Sequence, residues 1–372
     1  MKHKLKILIS GGGTGGHIFP ALSIADEIQR RYSDADILFV GADNRMEMER
    51  IPAAGYKIIG LPVRGLIRKL TFENVRVILD FFKSKRKARK IIKDFKPDIA
   101  IGVGGYASAP VLSAANKMGV PALLQEQNSY AGVTNKLLAK KAKTICVAYG
   151  GMERFFPAGK LINTGNPVRQ IDVSPSLRKE GRKHFGIESD NPVLFIMGGS
   201  LGARTINQAL LAHIDKLITE PIEIVWQTGK YYFEDIKKQL ANYALENIRI
   251  LDFVTRMDLA YNVADLVISR AGALSLSELC LVGKPSVLVP SPNVAEDHQT
   301  KNAMALVKAN AALMVKDIEG KEILISESLR LLKDEKKLNE FGKNALILAK
   351  PDATSTIVDE VMKIIDNQKL DG

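Results

Sequence analysis

Apolar runs about the length of a strand alternate with amphipathic stretches along almost the whole chain. Residues 4–10, 35–41, 56–61, 97–103, 121–126 and 143–149 read as strands of a first half. Residues 192–198, 222–228, 248–253, 264–270 and 285–291 read as strands of a second. Between them lie stretches with apolar residues at helical spacing, 19–32 and 71–95 among them. Alternation of this kind predicts the α/β class, with open parallel sheets covered by helices on both faces. The periodicity fails at 163–176, NTGNPVRQIDVSPS, a polar stretch with two prolines where a domain boundary is expected. The expected division is a first Rossmann-like domain over 1–165 and a second over 166–350. Residues 351–372 follow as an amphipathic helix that could cross back to complete the first domain.

The two halves repeat one plan. Ile9 to Gly16 reads as strand, then glycine loop, then helix, and Leu194 to Gly202 reads the same way. The hydroxyl residues Thr14 and Ser200 fall at the same place in the two loops. Two such domains would face one another across a cleft.

Composition narrows the class. The 372 residues exceed one ordinary core and suit two domains. Cys146 and Cys280 are far apart in sequence and sit in apolar contexts, so no disulfide framework or C-x-x-C metal pair arises, which points to a reducing cytosol. The N-terminal apolar stretch is strand-length, and no apolar run approaches the ~20 residues of a membrane span. A soluble protein is expected. The net charge of +12 is concentrated: residues 64–96 hold twelve Lys/Arg against three acids, a local +9. That excess points to an anionic partner surface, either nucleic acid or anionic lipid.

Three motifs invite chemistry. In ISGGGTGGH, Gly11, Gly13 and Gly16 fit the G-x-G-x-x-G pattern after a strand, where loop N–H groups and a helix N-terminus can hold a phosphate. A dinucleotide fold also requires an acid ending the second strand, and here Asp43 comes late while Asp34 and Asp36 lie at the wrong end. Asp34-Ala35-Asp36 matches the D-x-D of metal-dependent sugar transferases but falls at a helix-to-strand turn, where solvated acids are ordinary. No cluster with metal-ligand spacing is found, and neither a metal nor a cofactor is expected. In the second half, SRAGALSLSE (269–278) leads from strand to helix and puts Glu278 where it could accept from both hydroxyls of a ribose. A helix N-terminal acid serving the dipole is the competing reading. GVGGYAS (102–108) and QEQN (125–128) both follow strands, at the sheet edge where open α/β folds bind ligands.

GGGTGGH, GGYAS, QEQN with AGVTNK, GNPVR, GGSLGAR, SRAGALSLSE and the Glu-Asp-His-Gln stretch occur in this order from residue 6 to about 355. In these the chain resembles the MurG family of peptidoglycan N-acetylglucosaminyltransferases, which have the two-domain GT-B fold. The resemblance implies transfer of GlcNAc from UDP-GlcNAc to the 4-hydroxyl of undecaprenyl-pyrophosphate-linked MurNAc-pentapeptide (lipid I), giving lipid II. It further implies inversion at the anomeric centre, independence of a bound metal, and a peripheral place on the cytoplasmic face of the bacterial plasma membrane. Carried over, the donor site includes Thr14, Gly15 and Gly16, with Asn128 near the sugar. Arg169 and Ser200 face the diphosphate, and Val254 holds the uracil through its backbone. Ala273, Leu274, Ser275 and Glu278 wrap the nucleotide, and Gln299 takes the GlcNAc hydroxyls. Some relatives carry two glutamines at 298–299, where this chain has His298 first.

Departure of UDP needs positive groups at the diphosphate, and the acceptor hydroxyl needs a base near neutrality. His17 is the first candidate base and Glu126 the second; the other reading of His17 is a hydrogen bond to the loop or to the acceptor pyrophosphate. The basic segment interleaves Leu66, Ile67, Leu70, Phe72, Phe81 and Phe82 with Arg68, Lys69, Arg76, Lys83, Lys85, Arg86, Lys87, Arg89, Lys90 and Lys93. Such a mixture suits a peripheral anchor on anionic phospholipids. A solvated helix face is the alternative, and sparse aromatics and missing base-reading motifs speak against nucleic acid. Two other functions remain in view: a GT-B transferase acting on diacylglycerol, and a binding module without turnover.

Overall fold

The computed structural model describes residues 4–65, 73–199 and 201–371, the side chains of 73–76, 295 and 369–371 excepted. Ser200 and Leu70, with Leu66, Ile67, Arg68, Lys69 and Phe72, fall outside the described residues. The chain divides into two compact units, one of residues 1–169 with 350–372 and one of 170–349.

The first unit runs β1 (Lys6–Ser10), α1 (Gly15–Arg31), β2 (Asp36–Ala42), α2 (Glu47–Ala53), β3 (Lys57–Leu61) and α3 (Glu73–Phe95). It continues through β4 (Ile99–Gly102), α4 (Ser108–Lys117), β5 (Ala122–Glu126), α5 (Val133–Leu138), β6 (Thr144–Val147) and β7 (Leu161–Asn163). Among the described residues its seven strands are ordered β3-β2-β1-β4-β5-β6-β7, every pair parallel. Strand alternation builds both layers. Ile7 and Ile9 of β1 turn toward Ile18, Ile24 and Ile28 of α1, while Leu8 between them joins Val111 and Leu112 of α4 and Ile92 of α3 on the opposite face.

The second unit comprises α6 (Pro175–His184), β8 (Val193–Met197), α7 (Arg204–Ala212), α8 (Ile214–Leu217), β9 (Glu223–Gln227), α9 (Phe233–Gln239) and β10 (Ile248–Leu251). Then come α10 (Met257–Val263), β11 (Leu266–Ser269), α11 (Ala273–Leu281), β12 (Ser286–Leu288), α12 (His298–Lys308), β13 (Leu313–Met314), α13 (Gly320–Leu332) and α14 (Glu335–Leu348). Its sheet runs β10-β9-β8-β11-β12-β13, again parallel throughout. Leu194 and Ile196 of β8 pack with α7 and α13, whereas Val193 and Phe195 pack with α10, α11 and α12. The buried Trp226 indole donates to Asn207 Oδ1 at 3.0 Å, and Asn207 Nδ2 donates to Thr228 O at 2.9 Å, so this core polar pair is satisfied.

A helix α15 (Ala353–Asp371) returns to the first unit. Ile357, Val358, Val361 and Ile365 are buried among Ile7, Ile9, Ile24 and Ile28. Arg31 of α1 pairs with Asp359 and donates to Ser355, and Arg31 and Arg30 both pair with Glu27. The α/β class and the eleven strands read from the periodicity are present. The edge strands β7 and β13, of three and two residues, were not anticipated.

Candidate functional site

In the first unit the strand order reverses between β1 and β4, and the loops after β1, β4 and β5 gather at that switch point. The glycines there make room for backbone. A Cβ on Gly105 (φ +83°) would lie 2.3 Å from Gly12 O, and one on Gly11 would lie 2.1 Å from Val103 Cγ2. Ser108 Oγ ties the loops together by donating to Ser10 O at 2.7 Å and to Gly104 O at 2.8 Å. The half-exposed Tyr106 ring lies over Gly13.

Thr14 precedes α1 in extended conformation, and Gly15, Gly16 and His17 form its first turn. His17 Nδ1 lies 3.1 Å from Gly12 O and 3.3 Å from Thr14 Oγ1. A carbonyl offers no proton, so Nδ1 carries the hydrogen and Nε2 carries the lone pair of the neutral ring. That Nε2 edge faces Gly104: a Cβ there would come within 3.0 Å of His17 Nε2 and 3.8 Å of Asn135 Nδ2.

Glu126 ends β5 with its carboxylate buried. Oε2 accepts from Gly132 N and Asn135 Nδ2, both at 2.9 Å, and Oε1 accepts from Asn128 N at 3.2 Å and Asn128 Nδ2 at 3.4 Å. Burial pushes the Glu126 carboxyl up, against the pull of the Gly132, Asn135 and Asn128 donors. Both oxygens accept hydrogen bonds that pin the 127–135 loop around this second candidate base. Asn128 is held by it at the loop's start. Asn135, which the sequence did not single out, has its Oδ1 buried with no hydrogen-bond partner among the described residues. Behind them Gln125 Nε2 donates to Asn166 Oδ1 at 3.2 Å, and Asn166 Nδ2 to Gln127 O at 3.1 Å, fixing the GNP turn beneath the QEQN loop. Arg169 is exposed and is the last residue of the unit before the chain crosses.

Glu47 was also missed. It opens α2 at 1% exposure, with Oε1 accepting from Ala42 N at 3.0 Å and Oε2 from Gly13 N at 2.9 Å. Its surroundings read as a charged, solvated run, RMEMER, and nothing in that run signals an inward carboxylate.

In the second unit the reversal lies between β8 and β11. The glycine loop after β8 leans on a different strand from the first unit's loop. A Cβ on Gly229, after β9, would lie 2.1 Å from Gly202 N, whereas the first unit pairs its loop with the one after β4. Gln227 joins these parts, donating from Nε2 to Gly199 O at 3.1 Å and accepting Val254 N at 2.9 Å. The N–H of Val254 is therefore taken, and a backbone role at that position falls to its carbonyl. Ala273, Leu274 and Ser275 form the first turn of α11, with Glu278 one turn on; Glu278 Oε2 accepts from Tyr261 Oη at 2.9 Å. Gln299 Oε1 accepts Ser291 N at 2.9 Å. Just before α12, Glu296 and Asp297 both take left-handed backbone, at φ +57° and +49°. Strain at two consecutive non-glycine residues marks this as a held, specialised turn beside His298 and Gln299.

On α3, Phe82 is 62% exposed and Phe81 half-buried against it, with Lys83, Arg86, Lys87, Arg89 and Lys90 exposed. Ile78 and Leu79, unremarked in the sequence, are exposed beside them. Burial, and then the neighbouring Lys117, Arg89 and Lys141, pull the Lys85 ammonium down, so the basic field reaches beyond α3. Cys146 and Cys280 are both buried, which pushes their thiols up, Cys280 to about 12, and leaves no nucleophilic thiolate. Among the described residues no helix is long and apolar enough to cross a membrane, and no three His, Cys, Asp or Glu side chains are grouped to hold a metal ion.

Comparison with known proteins gives two matches: the glycosyltransferase family 28 N-terminal domain over residues 7–147, and the family 28 C-terminal domain over 193–357. A Parabacteroides distasonis protein is 56% identical over 98% of this chain and 100% of its own length. One from Bacteroides thetaiotaomicron is 55% identical over 98% of this chain and 99% of its own. Both are named UDP-N-acetylglucosamine–N-acetylmuramyl-(pentapeptide) pyrophosphoryl-undecaprenol N-acetylglucosamine transferase. Among solved structures, MurG of Acinetobacter baumannii superposes with a TM-score of 0.77 at 31% identity, covering 96% of this chain and 99% of its own.

Proposed function

The chain belongs to glycosyltransferase family 28, and on that premise we propose that it transfers GlcNAc from UDP-GlcNAc to the 4-hydroxyl of MurNAc in lipid I, forming lipid II. One observation carries this reading: relatives more than half identical along 98% of the chain bear the name of that reaction. The two α/β units divide the work, the first unit taking the lipid-linked acceptor and the second the nucleotide sugar.

The acceptor oxygen attacks the anomeric carbon from the face opposite the diphosphate. The C–O bond to the phosphate breaks, UDP leaves with the electron pair, and the anomeric centre inverts. His17 Nε2 takes the hydroxyl proton; the Nδ1 contact with Gly12 O supports this, because it leaves the lone pair on the other nitrogen. Thr14, Gly15 and Gly16 border the reacting sugar, with Asn128 beside them on its Glu126 peg. For the negative charge developing on the diphosphate the candidate groups are Arg169, Ser200 and the positive end of α11, in a mechanism independent of a bound metal. The Val254 carbonyl accepts from the uracil, Glu278 accepts from the ribose, and Gln299, with His298 beside it, reads the GlcNAc hydroxyls.

The α3 face binds anionic phospholipids at the cytoplasmic side of the membrane. Exposed Ile78, Leu79 and Phe82 among cations support that reading, since apolar tips enter the headgroup boundary while the cations attract the anionic surface.

Radiolabelled GlcNAc transfer, run with lipid I and with diacylglycerol, tests the whole. Product with lipid I alone, undiminished by a chelator, is expected; product with diacylglycerol alone would give the runner-up enzyme, and none with either a binding module. Substituting His17→Ala should lower turnover by about 10²–10⁴-fold at saturating substrates. A loss of less than about fivefold would remove His17 as the base.

A further inference from the structure

We propose that Glu47 is a positioning residue that fixes the His17 ring through the single peptide unit joining Gly12 to Gly13. The N–H of that peptide donates to Glu47 Oε2 at 2.9 Å, and its carbonyl accepts from His17 Nδ1 at 3.1 Å. Carboxylate, peptide and imidazole thus form one continuous hydrogen-bonded chain. Glu47 is anchored at its other oxygen by Ala42 N at 3.0 Å, so it cannot swing away from the loop.

The fold makes room for this carboxylate at two places. A Cβ on Gly12 would lie 2.1 Å from Glu47 Oε1, and one on Gly41 would lie 2.6 Å from Glu47 Cγ. A carboxylate at 1% exposure is costly to desolvate, and two N–H contacts offset only part of that. Its effect on the peptide is directional. Negative charge at the N–H polarises the amide and makes the Gly12 carbonyl a stronger acceptor. A stronger acceptor holds the hydrogen on Nδ1, aims the ring, and keeps the lone pair on Nε2. When Nε2 gains a proton, the same relay stabilises the imidazolium.

The kinetic part of this inference rests on His17 being the base; the structural part does not. Nitrogen-15 NMR of the histidine ring in the full-length chain, assigned with His17→Gln and recorded where the ring is neutral, reads the tautomer directly. The wild type should show chiefly the Nδ1–H form, and Glu47→Gln should shift the population toward Nε2–H. Turnover of Glu47→Gln should fall about tenfold or more with KM for UDP-GlcNAc little changed, and in a His17→Gln background the same substitution should change turnover less than about twofold.

An Nε2–H wild type overturns the proposal without any Glu47 variant, so a variant that does not fold leaves the test intact. An unchanged tautomer ratio in a folded Glu47→Gln overturns it as well. If the tautomer pattern holds while His17→Gln keeps its turnover, the base assignment fails and the relay stands as the device that orients the ring.

Discussion

Glu27 pairs with Arg30 and Arg31 on its own helix, and Arg31 in turn reaches Asp359 of α15. Hydrogen bonds from Arg30 first, then Arg31, hold the Glu27 carboxyl at about 2, below the usual 4.5. Because the folded value is the lower one, its contribution is complete above about pH 4.5 and is lost as pH falls toward 2. Denaturant unfolding of the wild type and Glu27→Gln should therefore differ by a constant amount from pH 6 to 8. The difference should shrink below about pH 4.5 and vanish near pH 2; a gap that persists there would mean Glu27 acts by packing. Among candidate site residues, legibility followed exposure to the loops. His17, Asn128, Glu278 and Gln299 sit at strand ends or helix starts, where sequence marks them. Glu47 and Gln227 do their holding from inside, and a buried glutamate in a charged run has the same sequence as a solvated one. Glu126 was found for its place in QEQN, but its role depended on four donors that only folding brings to it.

At the scale of elements, the repeating plan of the two glycine loops was visible in the sequence, but the support beneath each loop was not. One loop rests on the turn after β4 and the other on the turn after β9, a distinction set by long-range packing of glycine on glycine. The strands the sequence did not mark, β7 and β13, lie at the sheet edges, where each pairs with a single neighbour, β6 or β12. On α3 the sequence marked the basic run, while the turn of the helix decided that Ile78 and Leu79 join Phe82 outside. Each basic side chain near an anionic surface contributes about 1 kcal/mol. Neutralising Lys85, Arg86, Lys87, Arg89 and Lys90 together should weaken binding to anionic vesicles by at least about a hundredfold in sedimentation, and change binding to neutral vesicles little. Equal binding of the wild type to both vesicle types would make α3 a solvated face.

The whole molecule is organised by a chain that leaves its first unit at Arg169 and re-enters at Lys350. Four buried side chains of α15, at about 1.5–3 kcal/mol each, contribute on the order of 10 kcal/mol before chain entropy opposes them. Deleting residues 353–371 uncovers Ile7, Ile9, Ile24 and Ile28. The truncated protein should bind a hydrophobic dye and lose the first unit's melting transition while the second unit's transition remains; unchanged melting of both would show that α15 is dispensable. The return of the chain was legible only as an amphipathic helix after the boundary, because its partners lie more than three hundred residues earlier.

That arrangement also sets an order of events during synthesis. Residues 1–169 emerge with the α1 face of their sheet lacking the α15 part of its cover, and 180 residues of another folding unit must be made before α15 appears. At about 5–20 residues per second, the ribosome holds the first unit in this state for roughly ten seconds or longer. The last helices of the second unit's own core, α13 and α14, are made at the end of that interval, just before α15. The unit that begins first is thus finished last, and its open isoleucine face is where a nascent-chain chaperone would find this protein.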